Sequence, residues 1–191
     1  MSKYKYKYIL AIDPSGNFSE GKGTTGWVLL TSNEHLLAEG HISAEKYNCA
    51  EEYWDEHIKL IKRYNEKYKD KLIIVIEDYI LYKNRSKNQT NSRIETCRLI
   101  GVIQHYCWRI HQDYSMQLAA TVKDRWSDDI LLIEDIMYKN KSNYIHTQSG
   151  LSLNMIHIRD AFRHAIHYAI CRNQLKERRK KSYAKYKQSN Y

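Results

Sequence analysis

Residues 72–76 read LIIVI, five aliphatic residues in succession, four of them β-branched. A strand with one face in water alternates apolar and polar residues. An unbroken run marks a strand covered on both faces. Such a strand needs helices on either side of its sheet, which commits the chain to an α/β layered architecture. The run ends on Glu77 and Asp78. A second apolar stretch, ILAI at 9–12, also ends on a carboxylate, Asp13, and the chain then turns away through Pro14, Ser15 and Gly16. Two core strands that terminate on acids are the anomaly from which the functional reading follows.

Periodicity assigns the remaining elements. Residues 6–13 form strand one. Residues 25–32 (TGWVLLTS) and 35–43 (HLLAEGHIS) form two more, joined by a tight turn at Asn33–Glu34, so the three make an antiparallel meander. Tyr47, Ala50, Trp54, Ile58, Ile61 and Tyr68 recur at helical spacing and predict a helix over 43–69, with Ser43 as N-cap. Lys46 stands where a capping box would need Glu or Gln. Strand four covers 72–78, a second long helix 91–111, a fifth strand 115–121, a short helix capped by Ser127 127–139, and a closing helix 153–176. The order βββαβαβαα predicts a mixed five-stranded sheet flanked by helices, in one domain over 1–176, followed by a basic tail over 177–191.

A chain of 191 residues with 42% hydrophobic content can bury one sizeable core. It holds a single proline, with no Pro/Ser/Gly-rich linker and no repeat at solenoid spacing, which argues against further division. No apolar stretch has the length of a signal-peptide core or a membrane span. None of Cys49, Cys97, Cys107 and Cys171 sits in a CxxC pair, so reduced thiols in a cytoplasmic protein are expected.

Net charge is +9, of which residues 172–191 contribute +7, eight Lys/Arg against one Glu, leaving +2 for the rest. A basic tail, with Arg178, Arg179, Lys180 and Lys181 in succession, predicts contact with a polyanion. A second basic, acid-free stretch, LYKNRSKNQTNSR at 81–93, places Lys83, Arg85, Lys87 and Arg93 directly after strand four, where they predict phosphate contacts.

If strands one and four lie adjacent and parallel, Asp13 and Glu77 project side by side at the strand ends where ligands collect in such sheets. Successive residues face opposite ways, so only one of Glu77 and Asp78 can face Asp13. Two carboxylates held close repel, and a divalent cation such as Mg²⁺, which takes oxygen ligands, keeps them ionised. In the closing helix His157, Asp160 and His164 are spaced i, i+3, i+7 and share one face beside the apolar stripe of Ile158, Ala161, Phe162, Ala165, Ile166, Ala169 and Ile170.

ILAIDPSG…TTGWVLL, VIEDYILYKN, AATVK and HIRDAFRHAIHYAI, in this order over residues 7–172, resemble the RuvC-like Holliday junction resolvases of the RNase H-like superfamily, whose phage-encoded members are similar in size. The resemblance implies an RNase H-like sheet and a nuclease that nicks four-way junctions and other branched DNA, leaving 5′-phosphate and 3′-hydroxyl ends. It implies two Mg²⁺ ions, with Mn²⁺ accepted, held by Asp13, Glu77, His157 and Asp160, and places Lys123 near the scissile phosphate. The family carries an aromatic residue three positions after the strand-four glutamate. Here that position is Ile80, flanked by Tyr79 and Tyr82, and which of the three enters the junction stays open. After Asp13–Pro14 the chain departs from the family's loop, with Ser15–Gly16 and an extra NFSEGKG at 17–23.

Paired nicks on a two-fold symmetric junction imply a homodimer. The helix at 91–111 is the expected interface, because Ile94, Leu99, Ile103, Cys107 and Trp108 exceed what one buried face needs. The expected location is the cytoplasm, that of the host if the chain is phage-encoded. Two alternatives stay open: a nuclease of RNA–DNA hybrids, and a module that binds branched DNA without cutting it.

Overall fold

The computed structural model describes residues 5–79 and 94–172. Five strands form one sheet in the order β3-β2-β1-β4-β5: β1 is Tyr8–Asp13, β2 Thr24–Thr31, β3 Leu36–Ser43, β4 Leu72–Asp78 and β5 Tyr114–Leu118. β1, β2 and β3 form the antiparallel meander, while β4 runs parallel to β1, and β5 parallel to β4. The helices are α1 (Ala50–Tyr68), α2 (Glu95–Arg109), α3 (Ala119–Arg125), α4 (Asp128–Ile133) and α5 (Ile156–Arg172). A hairpin of β6 (Met137–Asn140) and β7 (Asn143–His146) stands apart from the main sheet. Among the described residues no helix is long and apolar enough to cross a membrane.

The pleat of the sheet sorts the core into two layers. Ile9, Ala11, Val28, Leu30, Ile73 and Val75 face α5, packing with Ile158, Phe162, Ala165 and Ala169. Their neighbours Leu10, Ile12, Leu29, Leu72, Ile74 and Ile76 face α1 and α2, packing with Tyr53, Ile61, Leu99 and Ile103. The unbroken run of β4 is thereby explained: its odd-numbered residues fill one layer and its even-numbered residues the other.

Several boundaries differ from the pattern-based expectation. α1 begins at Ala50, not 43. Ser43 is paired with Thr24 in the sheet, its hydroxyl caps nothing, and Tyr47 is extended, so the backbone before residue 50 is committed elsewhere. The segment 115–121 is strand only to Leu118. Ala119 and Ala120, strong helix formers, open α3, which carries Lys123. Ser127 does cap α4, its Oγ accepting from Ile130 N at 3.3 Å, but that helix ends at Ile133. The rest of the expected helix, 134–139, is a turn and the start of β6, and the four-residue strands of the β6–β7 hairpin are too short for a period to show. α5 begins at Ile156 because Leu153 N donates to Tyr144 O, which ties the residues before it to the hairpin. Residues 91–93 of the expected second helix and 173–176 of the expected closing helix lie outside the described residues.

On α2, Leu99, Ile103 and Cys107 are fully buried in the chain's own core, so they do not belong to an outward face. Trp108 and Ile94 remain 69% and 42% exposed. All four cysteines are free thiols.

Candidate active site

Asp13 is the last residue of β1 and Glu77 the penultimate residue of β4, one position beyond the Ile12–Ile76 pairing. Both are odd-numbered, so strand parity aims both at the α5 layer, while Asp78 faces away. Opposite Asp13 in β2 stands Gly26. A Cβ there would lie 2.1 Å from the carbonyl carbon of His157. The missing side chain lets the first turn of α5 rest directly on the β2 backbone, a close approach that only glycine permits. His157 thus reaches Asp13, its Nδ1 donating to Oδ2 at 2.9 Å.

The remaining groups gather from three elements. Asp160, one turn along α5 and 6% exposed, is bonded by Lys123 Nζ of α3 at 2.9 Å and by Arg163. Lys123 also lies 3.7 Å from Glu77 Oε2, so one ammonium bridges two carboxylates. His164, fully buried, donates from Nε2 to Glu77 Oε2 at 2.9 Å, and its Nδ1 lies 2.9 Å from the side-chain amide of Gln117 in β5. Arg163 continues from Asp160 to Asp128 of α4, which Arg159 also approaches, Nε to Oδ1 at 3.0 Å.

The electrostatics are those of crowded acids. Burial pushes the Asp13 carboxyl above its ordinary range, and the charges of Glu77 and Asp160 add to this against the His157 hydrogen bond. Burial acts on Glu77 in the same sense, but the hydrogen bond from His164 and the Lys123 ammonium outweigh it and hold the carboxyl low. The bond to Asp13 raises His157. Burial works against the Lys123 ammonium, but Asp160 and the other acids raise its pKa regardless.

Asp13, Glu77, Lys123, His157 and Asp160, expected from the sequence, are therefore brought together. Tyr79 is part-buried and packs against the α1–α2 layer. Ile80, Tyr82, Lys83, Arg85, Lys87, Arg93, Arg178, Arg179, Lys180 and Lys181 lie outside the described residues. His164 shares the face predicted for His157 and Asp160 but had no role assigned, Arg163 is the i, i+3 partner of Asp160 that the helical spacing allows, and Gln117, Asp128 and Gly26 were not expected. For Gly26 there was a signal, a glycine inside a strand pattern. For Asp128 there was none beyond its place in the first turn of α4.

Hard oxygen donors with one imidazole suit Mg²⁺ or Mn²⁺, and the lysine ammonium between Glu77 and Asp160 already marks the place as favouring a cation. Among the described residues no three His, Cys, Asp or Glu side chains converge on one point suited to an ion. Each acid is already paired, Asp13 with His157, Glu77 with His164 and Lys123, and Asp160 with Lys123 and Arg163.

No protein-family model and no curated protein matches the sequence. Solved structures do match. A Thermus thermophilus RuvC in complex with Holliday junction substrate aligns at 11% identity over 88% of this chain and 97% of that one, with a TM-score of 0.63. A second Thermus thermophilus RuvC structure aligns at 13% identity over 86% of this chain and 95% of that one, with a TM-score of 0.58. The fold is RuvC-like. The β3-β2-β1-β4-β5 sheet with helices on both faces is the RNase H-like arrangement, and at these identities the likeness speaks for architecture alone.

Proposed function

We propose that the chain is a divalent-metal-dependent endonuclease that nicks four-way DNA junctions and other branched DNA by hydrolysis, leaving 5′-phosphate and 3′-hydroxyl ends. The observation that carries this reading is the meeting of Asp13, Glu77 and Asp160 from two parallel strands and one helix, with the Lys123 ammonium paired to Glu77 and Asp160 and His157 paired to Asp13. A core tolerates such a group of acids only with a compensating cation. The solved RuvC bound to a Holliday junction substrate lends the substrate class.

Asp13, Glu77, Asp160 and His157 would hold two divalent ions, Mg²⁺ or Mn²⁺. Bound there, such ions supply an activated water and neutralise charge on the leaving oxygen. The chain's own residues do the rest. β1 and β4 fix Asp13 and Glu77 on a rigid mount. His164 and Gln117 orient Glu77, and Arg163 with Asp128 orients Asp160. Lys123, beside Glu77 and Asp160, would place its ammonium against the negative charge that grows on the phosphate.

Two coordinated nicks need two sites, so the active form is a homodimer. The exposed Trp108 on α2 marks the face for it, beside a groove of about 670 Å³ lined by Trp54, Ile58, Val102 and Tyr106. The protein acts in the cytoplasm. Purified protein tested with and without Mg²⁺ on a four-way junction, a linear duplex and an RNA–DNA hybrid decides the matter. The expected result is metal-dependent nicking of the junction. Preference for the hybrid points to the RNase H-type activity, and binding without nicking to a silent module.

A further inference from the structure

We propose that the β6–β7 hairpin is a contact for the phosphate backbone of the DNA, set at a fixed distance from the acids of the active site. The proposal rests on the nuclease reading above and adds to it a binding element. Residues 136–159 contain no acid, and Lys139, Lys141 and Arg159 give the segment a positive charge. Tyr138, Lys139, Asn140, Lys141, Ser142 and Asn143 at the tip are exposed.

The tip is bolted to the helix that carries the site. Asn154 Oδ1 accepts from Tyr144 N at 2.6 Å, and Asn154 Nδ2 donates to Asn143 Oδ1 at 2.9 Å. Asn154 precedes His157 by only three residues, so the hairpin is tied to the chain just ahead of the turn of α5 that carries His157 and Asp160. The guanidinium of Arg159 lies over the Tyr144 ring, 4.5 Å from its centroid, and Lys139 Nζ lies over the same ring at 5.3 Å. Arg159 also donates to Leu153 O at 2.8 Å and approaches Asp128, which holds Arg163 and through it Asp160. Arg159 thereby links the hairpin to α5 and, through Asp128 and Arg163, to a candidate catalytic carboxylate.

The turn itself favours the same reading. Lys141, the first of the two residues joining β6 to β7, has φ of 56°. That left-handed conformation is where glycine or asparagine usually sits, and a lysine there is held at a cost. The exposed lysine is thereby projected from the apex. An acid-free tip with two lysines, a tyrosine and amide side chains fits the phosphodiester backbone of a DNA strand, with amides and ammonium groups both donating to phosphate oxygens.

The test compares wild type with Lys139→Ala/Lys141→Ala in EDTA, measuring affinity for a four-way junction and a linear duplex between low and high salt. The expected result is weaker binding to both substrates and a slope of log K against log salt shallower by about 2, because two phosphate contacts are lost. Under cleavage conditions KM should rise with kcat nearly unchanged, and Lys139→Arg/Lys141→Arg should restore both affinity and slope. Both lysines are exposed, so the melting temperature should stay at the wild-type value, and a change confined to DNA binding supports the proposal. Wild-type binding with an unchanged slope in the alanine variant overturns the hairpin contact and leaves the nuclease reading standing. Failure of the wild-type protein to bind any DNA overturns both.

Discussion

Two polar clusters lie at the same end of the sheet, on opposite faces, and they are built on opposite principles. On the α5 face stand the acids Asp13, Glu77 and Asp160. On the α1 face stand Thr25, Tyr53 and His57, each fully buried. In the second cluster the hydrogen bonds form a closed circuit of neutral groups. His57 Nδ1 donates to Tyr53 O at 2.8 Å, the Thr25 hydroxyl donates to His57 Nε2 at 2.9 Å, Ser15 N donates to Thr25 Oγ1 at 3.1 Å, and Tyr53 Oη donates to Ser15 O at 2.6 Å. Nearly every donor finds an acceptor, and no charge is buried. In the first cluster like charges are held together and lean on Lys123, His157 and Arg163. A satisfied neutral network rigidifies, whereas buried like charges depend on the cations placed around them. The loop that leaves Asp13 is clamped at Ser15 by the neutral cluster, so the quiet side of the sheet steadies the reactive side.

The sharpest way to break the contrast is Asp13→Asn. Cleavage should fall to background, because an amide oxygen holds a divalent ion far less well than a carboxylate. Junction binding should persist through contacts elsewhere. Folding stability should stay at or rise above wild type, since burial and the charges of Glu77 and Asp160 already disfavour the ionised carboxyl. A variant that nicks near the wild-type rate removes Asp13 from the site. One that cuts nothing because it has lost several kcal/mol of stability makes the acid a structural group instead.

Acid should injure the neutral cluster. Burial lowers His57 from 6.5 to about 4. As pH falls below 6.5 the unfolded chain takes up a proton that the folded chain refuses until about pH 4, so stability present at neutral pH is lost across that window. The displacement corresponds to about 3 kcal/mol, as an upper figure for a group this well sealed. His146, also buried and lowered to about 4, works in the same direction. Urea midpoints at pH 7 and pH 4.5 measure the loss, and His57→Gln should shrink it. An undiminished acid loss in that variant places the sensitivity elsewhere.

Tyr53→Phe is milder. It removes one donor and leaves the Ser15 carbonyl unsatisfied, which costs about 1–2 kcal/mol of stability. Cleavage should stay within a few-fold of wild type, because Thr25 still holds Ser15 from the other side. A large loss of kcat at unchanged stability would transfer Tyr53 from the structural side of the comparison to the catalytic one.

The difference between the clusters also governs what the sequence revealed. Asp13 and Glu77 were legible because a carboxylate at the end of an aliphatic run violates the expected pattern; parity said only that one of Glu77 and Asp78 can face Asp13, the resemblance named Glu77, and the β1–β4 register agrees. Asp160 was legible through helical spacing. The Thr25–Tyr53–His57 circuit violates nothing: a tyrosine and a histidine four apart on an amphipathic helix read as ordinary residues. The stretch from Ala119 to Leu153 was the least legible. Its elements are four to seven residues long, so no period accumulates, and its register is set by contacts such as Asn154 with Tyr144 and Asn143 that are ten and eleven residues apart in sequence. Lys123 was named as a site residue from a short motif, but its place on a helix that reaches across to Asp160 came only with the tertiary structure.

The smallest expected effect is also the finest test of the charged cluster. His157 donates to Asp13, and its replacement by aspartate removes that donor and adds a fourth acid. If the cluster were a structural salt-bridge network, His157→Asp would simply destabilise the fold, with or without metal. If it is a cation site, two opposed changes should appear together. Without divalent ions the variant should melt below wild type, because Asp13, Glu77, Asp160 and the new carboxylate repel. With Mg²⁺ the melting temperature should rise by more than it does in wild type, because a hard oxygen has replaced a nitrogen better suited to transition metals. Cleavage should be retained with Mg²⁺, and the ratio of Mn²⁺- to Mg²⁺-supported rates should fall. His157→Ala supplies the contrast: with no donor atom at that position, the rate should fall by roughly 10- to 100-fold with either ion. In wild type, activity should also decline as pH drops through the titration of His157, since only the neutral ring can hold an ion, and that decline should be absent in His157→Asp. Equal Mn²⁺/Mg²⁺ ratios and equal Mg²⁺-induced melting shifts in wild type and His157→Asp would leave His157 as a partner of Asp13 alone, with any metal held by the three carboxylates.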